Sequence, residues 1–343
     1  MSPVLFVLSL GTVSALVLVF AFKTLPEERW QVFAAVPILK TPGGNWTGLN
    51  LTYYGLFVAT AEMAAMVILT VLMASAGISV DVVAVFIAIV IGLCAPSSRW
   101  MARIVDRRKY NFTISGAVAV GLIVVPLAAG LIRTMGHSIS TAVVFASAAI
   151  AYTVGEGLGR LACISFGCCY GKPLHATSPR IQSLFSRFHF VFNGATKKIA
   201  YESGLDGVAV VPIQAVTCCA HLAIGLIAMF IFLKGFIIAA FLVGSVSTLL
   251  WRIYSETLRA DYRGKGRISK YQIMSAAGVV YTIVMATLIA DPAVQPDLSK
   301  GLAALWNPFV IVFYQLLWWA LFLFHGRSKV TSSEISIRVQ SEV

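Results

Sequence analysis

The sequence predicts an all-α polytopic membrane protein of about nine transmembrane helices, with a small polar cap between the fifth and sixth. Three observations carry that expectation. The 343 residues are 59% hydrophobic and only 12% charged, and the mean hydropathy is +0.86, outside the range of soluble domains. Nine apolar runs reach or approach the ~20 residues that a spanning helix needs, at 3–22, 51–74, 79–95, 114–133, 140–159, 211–233, 236–254, 271–290 and 303–324. Trp30, Tyr53, Tyr54, Trp100, Trp251 and Trp306 stand at run ends, as residues of an interfacial belt do.

The same numbers narrow the function classes. The formal net charge is +12, but the basic residues sit in short loops between apolar runs. Anionic lipid headgroups are therefore the fitting partner, and nucleic acid is not. The six cysteines form no spaced secretory framework. When the loops are assigned alternately to the two faces, 22 of the 26 Lys and Arg fall on one side, in 23–50, 96–113, 160–210, 255–270 and 325–343. The positive-inside rule predicts that this side is cytoplasmic and the N-terminus external.

The first run has no basic residue before Lys23, so it reads as a retained helix rather than a signal peptide. The second opens on Tyr53 and Tyr54 and carries Glu62 about two turns in, where an acid is expensive; Glu62 either faces a polar bundle interior or takes part in chemistry. The loop at 96–113 places Arg99, Arg103 and Arg107 one helical turn apart, followed by Arg108 and Lys109. That is a cytoplasmic flank or a docking face for anionic lipid. The fifth run ends in the stretch 155–173, which holds five glycines, three cysteines and Arg160. A charge at the end of a membrane helix is a functional candidate.

Residues 174–210 form the longest polar segment, with short alternating pieces such as Phe188 to Phe192 that suggest some strand. In the sixth run Gln214, Cys218 and His221 are spaced to share one helix face. In the seventh, Arg252, Glu256 and Arg259 are spaced likewise, as an ion-pair ladder or as two guanidinium forks for a phosphate oriented by the acid between them. The last run is almost purely apolar and aromatic, and the tail 326–343 is expected to be polar and mobile.

Taken in order, these pieces resemble the prolipoprotein diacylglyceryl transferase family over about residues 50–290. They are Tyr54-Gly55-Leu56; a basic loop; Gly159-Arg160-Leu161 with Gly167 and Gly171; Pro212 and Gln214; Arg252, Glu256, Arg259 and Asp261; and Ser269, Gln272 and Ser275. The resemblance implies a seven-helix core at 51–290 with the cap at 174–210. An extra helix and amphipathic loop would precede it at 1–50, and an extra helix and polar tail would follow at 291–343. It also implies a multi-pass protein of the bacterial inner membrane that moves the diacylglyceryl group of phosphatidylglycerol onto the thiol of a prolipoprotein cysteine and releases glycerol phosphate. No cofactor is implied, and the partners are the phospholipid and a lipid-acceptor protein or small molecule. Arg160 and Arg252 would hold the phosphate. Tyr54, Arg99, Ser115, Gln214, His221, Glu256 and Arg259 would line or support the substrate site.

Several positions depart from the family pattern. Where its signature G-R-x-G-N-F-x-N-G-E keeps Asn and Glu, this chain has Cys163 and Cys168. Its His-Gly-Gly corresponds to Ser115-Gly116-Ala117, and a later family Glu falls on His221. Three readings of Cys163, Cys168 and Cys169 follow. Cys168 or Cys169 is a nucleophile, activated by Arg160, that takes the lipid group transiently; or the three join Cys218 in a metal or iron–sulfur site, although C-x4-C-C is not a standard zinc spacing; or they are small residues packed between helices. A lipid-acceptor site on the cytoplasmic face, or a non-catalytic lipid- or metal-binding protein on the same fold, are the alternative functions.

Overall fold

A computed structural model describes residues 1–105, 114–262, 266, 268–290 and 293–339, and of residues 95, 98–105, 114–117 and 119 the backbone only. In chain order the elements are α1 (Pro3–Thr24), β1 (Val32–Lys40), β2 (Trp46–Thr52), α2 (Tyr53–Ser75), α3 (Val80–Val105), α4 (Ile114–Thr134) and α5 (Thr141–Phe166). The cap follows, with α6 (Pro179–Phe185), β3 (Phe190–Val191), α7 (Lys198–Ser203) and β4 (Ala209–Val210). Then come α8 (Ile213–Leu233), α9 (Ile237–Glu256), α10 (Lys270–Leu288), α11 (Leu298–Leu305), α12 (Pro308–Gly326) and β5 (Arg327–Ile335).

The all-α membrane expectation is met. Seven helices are long and apolar enough to cross a bilayer, namely α1, α2, α5, α8, α9, α10 and α12; α3 and α4 contain the shorter apolar stretches Val80–Cys94 and Val120–Thr134. Together these nine correspond to the nine runs. The short α11 was not expected. Asp297 caps it, accepting from Ser299 N at 2.9 Å. It lies against α2 so closely that a Cβ on Gly301 would overlap the Val71 carbonyl.

Helix ends meet at one end of the bundle in the order that alternating spans require. Lys197 Nζ donates to Leu25 O beyond α1 (2.9 Å) and to Ser165 O near the end of α5 (2.7 Å). Ser165 Oγ donates to Trp30 O. Gln272 Nε2 in the first turn of α10 reaches Ile253 O near the end of α9 at 3.1 Å. Thr52 Oγ1 at the start of α2 donates to Gly326 O at the end of α12 (3.1 Å). Burial pushes the Lys197 ammonium down to about 8, and its two bonds place a cation where helix C-termini concentrate negative potential.

α5 is the central helix because its glycines admit neighbours on opposite sides. A Cβ on Gly155 would approach Ala65 Cβ of α2 to 2.8 Å, and one on Gly157 would approach His221 Cβ of α8 to 3.1 Å. Small residues two apart on a helix point to opposite faces, so one stretch seats two partners. On the α9 side Thr153 Oγ1 reaches Thr248 Oγ1 at 3.0 Å and Gly244 O at 3.3 Å. The larger apolar core runs through α2, α3, α4, α5, α8 and α9, with Leu72, Met73, Ile150 and Phe232 buried.

Two expectations are corrected. The loop 23–50 is largely a hairpin, β1 antiparallel to β2. The tail is not free either: β5 pairs antiparallel with β2 through Trp46–Ile335, Thr47–Glu334, Gly48–Ser333 and Leu49–Ser332. Arg327 to Ile335 is rich in Ser, Thr and branched residues, which suits an extended strand once an edge is offered. Asn50 supplies cross-strand bonds, donating from Nδ2 to Thr331 Oγ1 (3.2 Å) and accepting at Oδ1 from Ser333 Oγ (2.5 Å). The cap has the expected strand, in the two-residue pair β3–β4.

The α2–α12 junction tolerates no side chain at Gly55, where a Cβ would overlap the backbone of Gly326. Gly55→Ala is expected to lower stability by about 1–3 kcal/mol, the usual range for overpacking. Thermal unfolding of the detergent-solubilised variant, against Gly159→Ala as a roomier control whose nearest contact is 3.9 Å, checks this.

Candidate active site

The site forms where α5, α8 and α9 meet near their ends. Tyr152, Glu156 and Arg160 follow at intervals of four on α5, so they stack on one face. Glu156 Oε1 accepts from Arg160 on its own helix and from Arg252 Nη1 on α9. Glu156 Oε2 accepts from the Tyr152 hydroxyl, which itself accepts from Arg252 Nη1 at 2.8 Å. Glu156 and Arg160 are buried, at 5% and 8% exposure. Two guanidiniums thus converge on one carboxylate, as donors with little freedom to reorient.

α8 adds polar groups to the same region. Gln214, Cys218 and His221 are all buried, at 1%, 0% and 0%, as their shared face required. His221 packs on Gly157, beside Glu156. Among the described residues both ring nitrogens of His221, Nε of Arg160 and Oε1 of Gln214 have no hydrogen-bond partner. Buried polar atoms are rarely left so, and their gathering here marks a place for a polar ligand. Trp251 Nε1 donates to Thr217 Oγ1 (3.2 Å), tying α9 to α8.

The cysteines follow from the way α5 stops. Gly167 adopts a left-handed conformation (φ 71°) that closes the helix, and Cys168 N donates back to Cys163 O at 3.0 Å. Cys169 is the one described non-glycine residue with positive φ, at 56°. The chain thus doubles back, and the three sulfurs of Cys163, Cys168 and Cys169 lie within 4.8 Å of one another. Gln214 Nε2 holds the turn by donating to Cys168 O at 3.0 Å. Donation from the Cys163 and Cys168 thiols, with Arg259 and Arg160 adding their charge, holds Cys169 well below the usual thiol range against the effect of burial.

Residues 170–172 are then stitched to both neighbours. Ala260 N donates to Tyr170 O (3.0 Å), Lys172 N to Leu258 O (3.0 Å) and Val211 N to Lys172 O (2.9 Å). Gly171 is required here, since a Cβ would overlap Val211 O. This stitching delivers Arg259 to the site.

Arg259 corrects one expectation. α9 ends at Glu256, so Arg259 does not continue the helix face of Arg252. It forms instead a two-pronged pair with Asp261, Nε to Oδ1 and Nη2 to Oδ2 both at 2.8 Å, with Glu256 Oε2 at 3.9 Å from Nη1. Burial pushes the Asp261 carboxyl up to about 6 against the pull of Arg259. Cys218 is also corrected as a metal ligand: it is buried on α8 and outside the group of three sulfurs. Tyr54 packs edge-on against Phe166 at 5.6 Å. Glu62 pairs with His325 at the end of α12, 3.3 Å away, and so lies apart from the arginines. The side chains of Arg99, Arg103 and Ser115, and all of Arg107, Arg108 and Lys109, lie outside the described residues.

Sequence reading assigned no role to Tyr152 or Glu156, although the three polar residues at i, i+4 and i+8 on an apolar helix were the available signal. Glu156 compensates two buried cations at once, and removing one partner of a buried pair costs about 3–5 kcal/mol. Glu156→Ala is expected to destabilise the protein by at least that range, and Glu156→Gln by less. Thermal unfolding of both variants in detergent tests the order.

The chain matches the family model described as prolipoprotein diacylglyceryl transferase over residues 45–288, more than half its length. It belongs to that family of membrane-embedded transferases. No curated protein matches it.

Proposed function

Taking that membership as the premise, we propose that the protein transfers the diacylglyceryl group of phosphatidylglycerol to a thiol at the surface of a bacterial plasma membrane. The observation that carries the reading is the convergence of Arg160 and Arg252 on Glu156. Two fixed planar forks side by side suit a phosphodiester, whose oxygens accept from paired N–H donors. The unpartnered Nε of Arg160 and one ring nitrogen of His221 supply further donors beside it.

In this reaction the acceptor sulfur, as thiolate, attacks the glyceryl carbon that bears the phosphate ester. A carbon–sulfur bond forms, the carbon–oxygen bond breaks, and glycerol phosphate leaves with the bonding electrons. Negative charge grows on the leaving phosphate, and fixed guanidiniums in a site of low dielectric stabilise that charge without reorganising. Glu156 keeps the two forks spread and oriented, and Tyr152 braces Arg252. The family name points to a prolipoprotein cysteine as acceptor. The sequence-based assignment of 22 of the 26 basic residues to the loops on the cap side favours a second reading, an acceptor on the cytoplasmic side.

Purified protein with headgroup-labelled phosphatidylglycerol and a cysteine peptide is expected to release labelled glycerol phosphate and yield a lipidated peptide. Arg252→Ala is expected to lower the rate by about 10²–10³-fold, as loss of a transition-state donor does. Arg252→Lys should recover only part of it, because an ammonium lacks the planar fork. No release by the wild type, or full activity in Arg252→Ala, overturns the reading.

A cysteine introduced at exposed Ser186 of the cap, in a Cys219→Ser background, distinguishes the two acceptors. Labelling by a charged maleimide from the cytoplasmic side alone supports the second, and labelling from outside alone the first.

A further inference from the structure

We propose that Cys163, Cys168 and Cys169 form a three-thiolate zinc site whose fourth position takes the sulfur of a thiol acceptor. The site is built by the backbone rather than by chance neighbours. Two successive left-handed turns, at Gly167 and Cys169 (φ 71° and 56°), fold the chain so that two residues beyond the end of α5 face Cys163. A left-handed conformation costs an ordinary residue about 1–2 kcal/mol, and close packing of three small side chains does not require it. Gln214 Nε2 on Cys168 O, at 3.0 Å, and the bond from Ala260 N to Tyr170 O, at 3.0 Å, fix the turn from both sides.

The donor set and spacing suit the ion. Zinc–sulfur bonds of ~2.3 Å set neighbouring sulfurs a little under 4 Å apart in a tetrahedral or trigonal site, and these three sulfurs lie within 4.8 Å of one another. Thiolates select zinc and other soft ions over magnesium or calcium. Three thiolates and one zinc ion carry one net negative charge, and the guanidiniums of Arg259 and Arg160 both act on Cys169 from beside it. Among the described residues no fourth Cys, His, Asp or Glu joins the group. Zinc with three protein ligands keeps one position for a reacting molecule.

A thiol entering that position gives its proton to solvent as its sulfur binds the ion, since a coordinating thiol is deprotonated outright. This last part rests on the transferase reading; the metal site itself does not. It would give the chain a thiolate source at the end of α5.

The test uses the full chain, purified in detergent after expression with added zinc and dialysed against a weak chelator. Elemental analysis is expected to give about one zinc per chain, and Cys163, Cys168 and Cys169 should resist alkylation by N-ethylmaleimide until a strong chelator is added. Cys163→Ser and Cys168→Ser should each lower bound zinc at least tenfold, while Cys219→Ser keeps it. Cadmium in place of zinc should show thiolate charge-transfer absorption, and cobalt in place of zinc a spectrum that shifts when the cysteine peptide is added. A wild-type protein free of zinc with all three cysteines open to alkylation overturns the site, and that measurement needs no variant. Bound cobalt whose spectrum ignores the peptide overturns the fourth-position assignment. Stoichiometric zinc without glycerol phosphate release leaves the metal site standing and overturns the transferase reading.

Discussion

The structure depends on how one carboxylate is accommodated in an apolar bundle. Glu156 lies on the central helix, buried, in a segment where an uncompensated charge would be expelled. It is kept by Arg160 from its own helix, Arg252 from α9 and the Tyr152 hydroxyl. Each group would be costly alone, and together they fix the rotation of α5 against α9. The glycines around them serve the same end. Gly155 and Gly157 let α2 and α8 close in, which excludes lipid and water from the ion pairs and strengthens them.

Most of the fold could be read from the chain because hydrophobic length is a direct physical signal. All nine apolar runs became long helices, and belonging to the transferase family agrees with the ordered motifs that suggested it. What escaped reading depends on contacts far apart in sequence. Residues 32–40 and 327–335 become strands only because β2 lies between them, and neither segment alternates strongly enough alone. Arg259 was placed on a helix face because the spacing continued through Glu256, whereas the helix stops there and Asp261 captures the guanidinium. The family resemblance implies that Arg160 and Arg252 act together, and the structure brings both onto Glu156, which stands among more conspicuous glycines and cysteines in the sequence.

The candidate site sits where helices end, and this shapes its chemistry. A helix interior satisfies its own backbone and offers side chains on a fixed pitch. The end of α5 instead releases the chain into left-handed turns, which swing Cys168 and Cys169 toward the preceding turn. The stitches from residues 170–172 to 211 and 258–260 then make this irregular backbone rigid. Polar loops at the membrane surface are thereby drawn into one frame with the buried arginines.

The sheet carries a consequence for biogenesis. β2 begins at Trp46, at the entrance of the family-matched segment, while its partner β5 begins only at Arg327, after the last spanning helix. The two are separated by almost the entire chain, so this pairing closes only after most of it has been made. During synthesis the β1–β2 hairpin and the first helices emerge while β5 is still untranslated. Until it arrives, β2 offers an open hydrogen-bonding edge at the membrane surface, of the kind that invites wrong partners. Completion of the sheet therefore waits for synthesis of the whole membrane core.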